Sequence, residues 1–102
     1  MIRLIRKVRV APGKQQEAIQ WAEELSEYNK PKYGDRIEAK VFFEIFGELS
    51  VMCWMVDSKD LATLESGFKE MQSDPGYQER VRAALGNIFM PDVFDKVYES
   101  ID

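Results

Sequence analysis

Residues 37–56, IEAKVFFEIFGELSVMCWMV, carry the reading that decides the fold. Ile37, Ala39, Val41, Phe43 and Ile45 alternate with Glu38, Lys40, Phe42, Glu44 and Phe46, the period of a strand with two different faces. Gly47-Glu48 supplies a short turn, a weaker hairpin signal than Asn-Gly. The return run, Leu49 to Val56, is apolar on both sides: Leu49, Val51, Cys53 and Met55 oppose Met52, Trp54 and Val56. A strand covered on both faces has this composition, so the stretch reads as a hairpin with one arm in the middle of a sheet.

Towards the N-terminus, Pro31 and Gly34 mark where a preceding helix must stop. Its inner stripe is Ala18, Trp21, Ala22, Leu25 and Tyr28, at three- and four-residue spacing, and its outer face carries Gln16, Glu17, Glu23, Glu24 and Glu27. Pro12-Gly13-Lys14 opens that helix. Before it, Ile2 to Val10 is a strand in partial alternation: Leu4, Val8 and Val10 share one side with Arg6, while Ile5 shares the other with Arg3, Lys7 and Arg9. Towards the C-terminus, Asp57-Ser58 offers a helix cap and Asp60 favours the helix start. Leu61, Leu64, Phe68 and Met71 give the next stripe. Asp74-Pro75 kinks or restarts the helix, Tyr77, Val81 and Leu85 continue its apolar side, and Gly86-Asn87 end it. A last strand is expected near Val93 to Ser100.

The order is β-α-β-β-α-β, the split βαβ or ferredoxin-like arrangement, an α+β class. One domain over residues 1–102 accounts for the whole chain. In this plan both helices cover one side of a four-stranded antiparallel sheet. The other side is expected to carry Ile5, Phe42, Phe46 and Trp54, with Tyr98 near them. An exposed apolar patch of that kind marks an interaction surface. It predicts a homodimer in which two sheets pack face to face, each using the same patch. The competing reading is a monomer whose C-terminal tail or loops cover the face.

Composition excludes several functions. The chain is 45% hydrophobic and 31% charged, an ordinary globular balance. A formal net charge of -4 argues against nucleic-acid binding, and Arg3, Arg6, Lys7 and Arg9 along one strand read as a paired or solvated sheet face. No apolar run approaches bilayer length and no leader pattern precedes the first strand, so a soluble cytoplasmic protein without membrane partners is expected. With no histidine, this chain cannot offer an imidazole base, a His metal ligand or a His haem ligand. Asp57 and Asp60 are better helix-start residues than metal ligands, so no metal and no cofactor are expected. The lone Cys53 lies in the most apolar strand and reads as packing. Pro12-Gly13-Lys14 reads as a tight turn before it reads as an anion cradle.

The element order, the Val10-Ala11-Pro12-Gly13-Lys14 approach to the first helix and the Ser73-Asp74-Pro75-Gly76-Tyr77 break in the second resemble the dimeric α/β-barrel superfamily. The chain is most similar there to NIPSNAP-like and antibiotic-biosynthesis-monooxygenase-like proteins. The resemblance implies a pocket between helices and sheet. It does not imply one reaction, since the superfamily includes cofactor-independent monooxygenases of aromatic or quinol substrates, haem-degrading enzymes and isomerases. The absence of histidine sets this chain apart from the His-ligated haem branches.

Candidate ligand-binding residues gather on that side. Trp21 and Tyr28 lie on the inner stripe of the first helix, with Asn29 beside them and Tyr33 in the following loop. Tyrosine hydroxyls can orient a phenolic or keto group and tryptophan can stack on a ring. Arg6, pointing with Leu4 and Val8, could meet an anionic or enolate oxygen. The alternative for Arg6 is a salt bridge to a helix glutamate, and for the aromatic residues plain core packing. Three functions stay open: a small aromatic or apolar ligand carried by a dimer, a cofactor-independent monooxygenase or isomerase of an aromatic or polyketide-like substrate, and a non-catalytic interaction module.

Overall fold

β1 (Ile2–Val10) runs through the middle of a four-stranded sheet of order β2-β3-β1-β4 in the computed structural model, which describes residues 1–47 and 50–101. Its neighbours are β3 (Val51–Ser58) and β4 (Phe89–Glu99), and β2 (Glu38–Phe43) pairs with β3; every pairing is antiparallel. Among the described residues three helices, α1 (Gln15–Tyr33), α2 (Leu61–Gln72) and α3 (Pro75–Ala84), accompany the sheet. The order β-α-β-β-α-α-β is the ferredoxin-like plan with its second helix broken in two.

Alternation along β1 sets the two faces. Ile2, Leu4, Val8 and Val10 are buried and join Ala18 and Ala22 of α1, Leu64 and Met71 of α2 and Ala84 of α3 in the two halves of the core. Arg3 pairs with Asp57 through two hydrogen bonds of 2.8 and 2.9 Å, and Lys7 reaches Glu44 at 2.6 Å, so the basic side of β1 is matched by acids. No helix among the described residues is long and apolar enough to cross a membrane.

Several boundaries differ from the sequence reading. α1 runs through Pro31 and ends at Tyr33, because a proline in the last turn forfeits one backbone bond while Tyr33 is held from outside by Asp74 at 2.8 Å. α2 is capped by Asp60, which accepts from the Thr63 N–H at 2.8 Å. Asp57 and Ser58 belong to β3 instead, Asp57 held by Arg3 and the Ser58 hydroxyl donating to the Arg36 carbonyl at 3.0 Å. Asp74 caps α3 with Pro75 in its first turn, so the helix restarts there. β4 begins at Phe89, not near Val93, and contains Pro91. An edge strand tolerates that proline, and the register shifts between Val8 and Val10 beside it.

The open sheet face also needs correction. Arg6 pairs with Trp54 and Val41 pairs with Trp54, so Trp54 faces the helices. Ile5 instead pairs with Met55, and Phe42 with Cys53. Phe94 and Tyr98 of β4 share that face through Lys7 and Arg3. Phe42, Phe94 and Tyr98 are each about half exposed or more. Phe46 lies beyond the end of β2 in the following loop, 91% exposed. The expected turn residue Glu48 and the first residue of the return run, Leu49, lie outside the described residues, as does Asp102.

Candidate functional site

A cavity of about 150 Å³ separates the helices from the sheet. Its floor is Leu4, Arg6, Val8, Trp54 and Val56; its helical walls include Trp21, Leu25, Phe68, Tyr77 and Val81; Phe89 and Val93 of β4 close one side. The lining is apolar apart from Arg6 and the polar tips of Trp21, Trp54 and Tyr77. A space of this size is large enough for one six-membered aromatic ring.

Three aromatic rings from three elements meet in its lining. Trp21 of α1 meets Trp54 of β3 edge-on, centroids 6.3 Å apart at 82°, and Phe89 of β4 at 5.1 Å and 70°. Trp54 and Phe89 stand 5.9 Å apart at 65°. Edge-to-face packing of this kind is favourable and leaves ring faces available. The Trp21 N–H is already used, donating to the Arg80 carbonyl of α3 at 3.1 Å.

Arg6 points to the helix side, as its parity with Leu4 and Val8 predicts. Its partner is not a helix glutamate but Asp95, directly opposite on β4: Nε and Nη2 donate to the two carboxylate oxygens at 2.8 and 2.9 Å. That bond holds the guanidinium above its ordinary pKa against the opposing effect of burial. The group also lies 5.7 Å from the centre of the Phe68 ring. Tyr77 stands at the same wall, and burial pushes its phenol up.

The other candidate residues divide. Tyr28 and Tyr33 donate their hydroxyls to Asp74, each at 2.8 Å, and Asp74 also accepts from the N–H groups of Gly76 and Tyr77 at 3.0 and 3.3 Å. Lys32 reaches the Tyr28 oxygen at 2.9 Å. These bonds, that from Tyr28 foremost, hold the Asp74 carboxyl far below the usual carboxylate range. Burial first, then Asp74, pushes the Tyr33 phenol up to about 12. Both hydroxyls therefore clamp α1 to the start of α3, and neither reaches the inner cavity. Tyr33 and Asn29 line a second, separate cleft between α1 and β2. The sequence reading brought five residues together; the fold leaves Arg6 and Trp21 at the inner cavity, Asn29 and Tyr33 at the edge cleft, and Tyr28 at the clamp.

Trp54, Phe89, Tyr77 and Asp95 were not singled out as site residues. One signal was present for Trp54. A two-residue turn at Gly47-Glu48 places Phe42 opposite Cys53, and so puts Trp54 on the face of Val41. Asp95 could not be found that way, since its place opposite Arg6 depends on a long-range register.

No protein-family model and no curated protein matches the chain. Solved structures do. An uncharacterised NIPSNAP domain protein from Burkholderia xenovorans superposes with a TM-score of 0.82 at 12% identity, over 98% of this chain and 94% of that one. A NIPSNAP family protein of unknown function from Agrobacterium tumefaciens gives 0.79 at 16% identity, over 96% and 86%. An antibiotic-biosynthesis-monooxygenase-like protein from Deinococcus radiodurans gives 0.75 at 11%, over 100% and 94%. The chain shares their ferredoxin-like fold. At these identities the likeness extends to backbone architecture alone.

Proposed function

We propose that the chain is a homodimer, joined through its open sheet faces, that holds one small aromatic molecule in the cavity between helices and sheet. The observation that carries the ligand is the cavity itself: about 150 Å³, ringed by Trp21, Trp54 and Phe89, with Arg6 as its one charged group. Asp95 takes one hydrogen each from Nε and Nη2 of Arg6, so the two on Nη1 and the second on Nη2 are left to donate to an oxygen on the ring. A phenol or quinol matches both features, an apolar ring for the void and one oxygen for the guanidinium. The dimer is supported by the apolar groups on the exposed face, Ile5, Phe42, Met55, Phe94 and Tyr98, with Phe46 at its margin.

The test is a titration with phenol followed by ¹H–¹⁵N NMR on the chain and on Val81→Phe, which fills the void from α3. Saturable shifts around the cavity are expected in the parent and absent in the variant. Equal binding by the folded variant would place phenol elsewhere and defeat the reading.

A cofactor-independent oxygenase or isomerase is the second reading, favoured by Arg6 and Tyr77 at one wall of the cavity. Arg6 would steady an enolate or phenolate of the substrate. Turnover of a quinol that survives both Arg6→Met and Tyr77→Phe would remove it.

A further inference from the structure

Arg6 and Tyr77 share the wall of the inner cavity, and a second space brings them together again. A recess of about 140 Å³ lies against the cavity where α2 meets α3. Phe68, Met71 and Val81 belong to both linings, whereas Gln72 and Gln78 belong to the recess alone. Arg6 and Tyr77 therefore stand at the threshold between an apolar chamber and a polar vestibule. Arg6 keeps the hydrogens that Asp95 does not take. The Tyr77 N–H goes to Asp74 at 3.3 Å, but among the described residues its hydroxyl has no protein partner. That hydroxyl is not sealed off either, since the Asn29 Oδ1 is the one unpaired polar side-chain atom that the described residues fully enclose. Burial raises the Tyr77 phenol, which therefore keeps its proton at neutral pH and can donate it. The Trp54 N–H is also unpaired among the described residues, but Trp54 takes no part in the recess and borders the α1–β2 cleft as well.

A ring seated in the cavity with one oxygen on Arg6 turns one edge to that wall. An oxygen on the adjacent carbon leaves by the same edge and comes to Tyr77; an oxygen on the opposite carbon is carried away from both groups. We infer that the ligand is a ring with oxygens on neighbouring carbons, a catechol: one oxygen accepts from Arg6 and the other accepts from the Tyr77 hydroxyl. This rests on the reading of the inner cavity as an aromatic site and names the ring that the site selects.

The probes are phenol, catechol and hydroquinone, titrated calorimetrically under nitrogen so that the diols stay reduced. Each is measured on the parent chain and on Tyr77→Phe, a change that removes only a hydroxyl without a protein partner. The parent is expected to bind catechol about fivefold more tightly than phenol or hydroquinone, the worth of one further hydrogen bond. Tyr77→Phe brings catechol down to the affinity of phenol and leaves phenol unchanged. Equal affinities for catechol and phenol in the parent, the result expected if water alone serves the Tyr77 hydroxyl, overturn the inference. So does a catechol preference that survives Tyr77→Phe, or a preference for hydroquinone, which would give the second oxygen to the Trp54 N–H. The two readings fail separately. Phenol binding that Val81→Phe abolishes, with no gain for catechol, defeats the selection of neighbouring oxygens alone. Failure of all three probes to bind defeats the aromatic site and this inference with it.

Discussion

Tyr28 donates its hydroxyl proton to Asp74 across 2.8 Å, joining the second half of α1 to the cap of α3. Two cations also stand against the Tyr28 ring, with Lys32 Nζ 4.5 Å and the Arg80 guanidinium 4.4 Å from its centre. A side chain pinned in this way cannot yield to a neighbour. A Cβ added to Gly76 would collide with the Tyr28 oxygen and stand 2.9 Å from Cζ. Gly76→Ala is therefore expected to destabilise the fold by about 1–3 kcal/mol in urea unfolding. The same change in a Tyr28→Ala background should cost much less. A neutral Gly76→Ala would show that the clamp gives way freely.

The clamp also predicts stability limits at both ends of the pH scale. Asp74 has a folded pKa below its unfolded value, so its contribution is present above about pH 4 and is lost as the pH falls below that. Tyr33 has the opposite sign. Its folded value of about 12 exceeds the unfolded value of about 10, so its contribution is present below pH 10 or so and is lost as the pH rises towards the folded value. Thermal midpoints measured against pH should flatten on the acid side in Asp74→Asn and on the alkaline side in Tyr33→Phe. Acid limbs that coincide for the parent and Asp74→Asn would rule this out.

Arg6→Met separates ring binding from oxygen recognition. The Arg6–Asp95 pair is only partly covered, with side-chain exposures of 34% and 39%, so its loss should cost about 1 kcal/mol of stability or less. Phenol affinity is expected to fall by about tenfold, the worth of one hydrogen bond to a charged group. Toluene affinity should be unchanged. Parallel losses for both molecules would mean that Arg6 shapes the cavity and does not recognise the oxygen.

Phe94→Glu places a carboxylate on the open face, along its edge strand β4, without touching the core, because Phe94 is 69% exposed. Sedimentation equilibrium should then show a dimer for the parent chain and a monomer for the variant. A parent that is monomeric at high micromolar concentration would end the dimer reading. A variant that stays dimeric would move the interface to another surface.

How far the sequence reaches is clearest in β1. Leu4, Val8 and Val10 are buried and Arg6 shares their face, as alternation alone requires, because the pleat sends every second side chain the same way. The position of Trp54 shows where that reasoning stops. Both faces of its strand are apolar, so composition cannot say which meets the helices, and only the pairing with Arg6 and Val41 decides. Tyr28 and Tyr33 fail for a related reason: their spacing places them on α1, but Asp74, which consumes both hydroxyls, lies more than forty residues away in sequence.

By itself, the sequence determined the element order, the broken second helix at Asp74-Pro75, the inward turn of Arg6 and the absence of any imidazole chemistry. These follow from local rules, namely residue period, backbone restriction by proline and side-chain inventory. Only the tertiary structure decided that Arg6 is held by Asp95, that Trp21, Trp54 and Phe89 enclose a ring-sized void, and that Asn29 faces a different cleft. Each depends on strand register or on how a helix seats against the sheet. Both are set by the summed packing of distant residues, which no local period records.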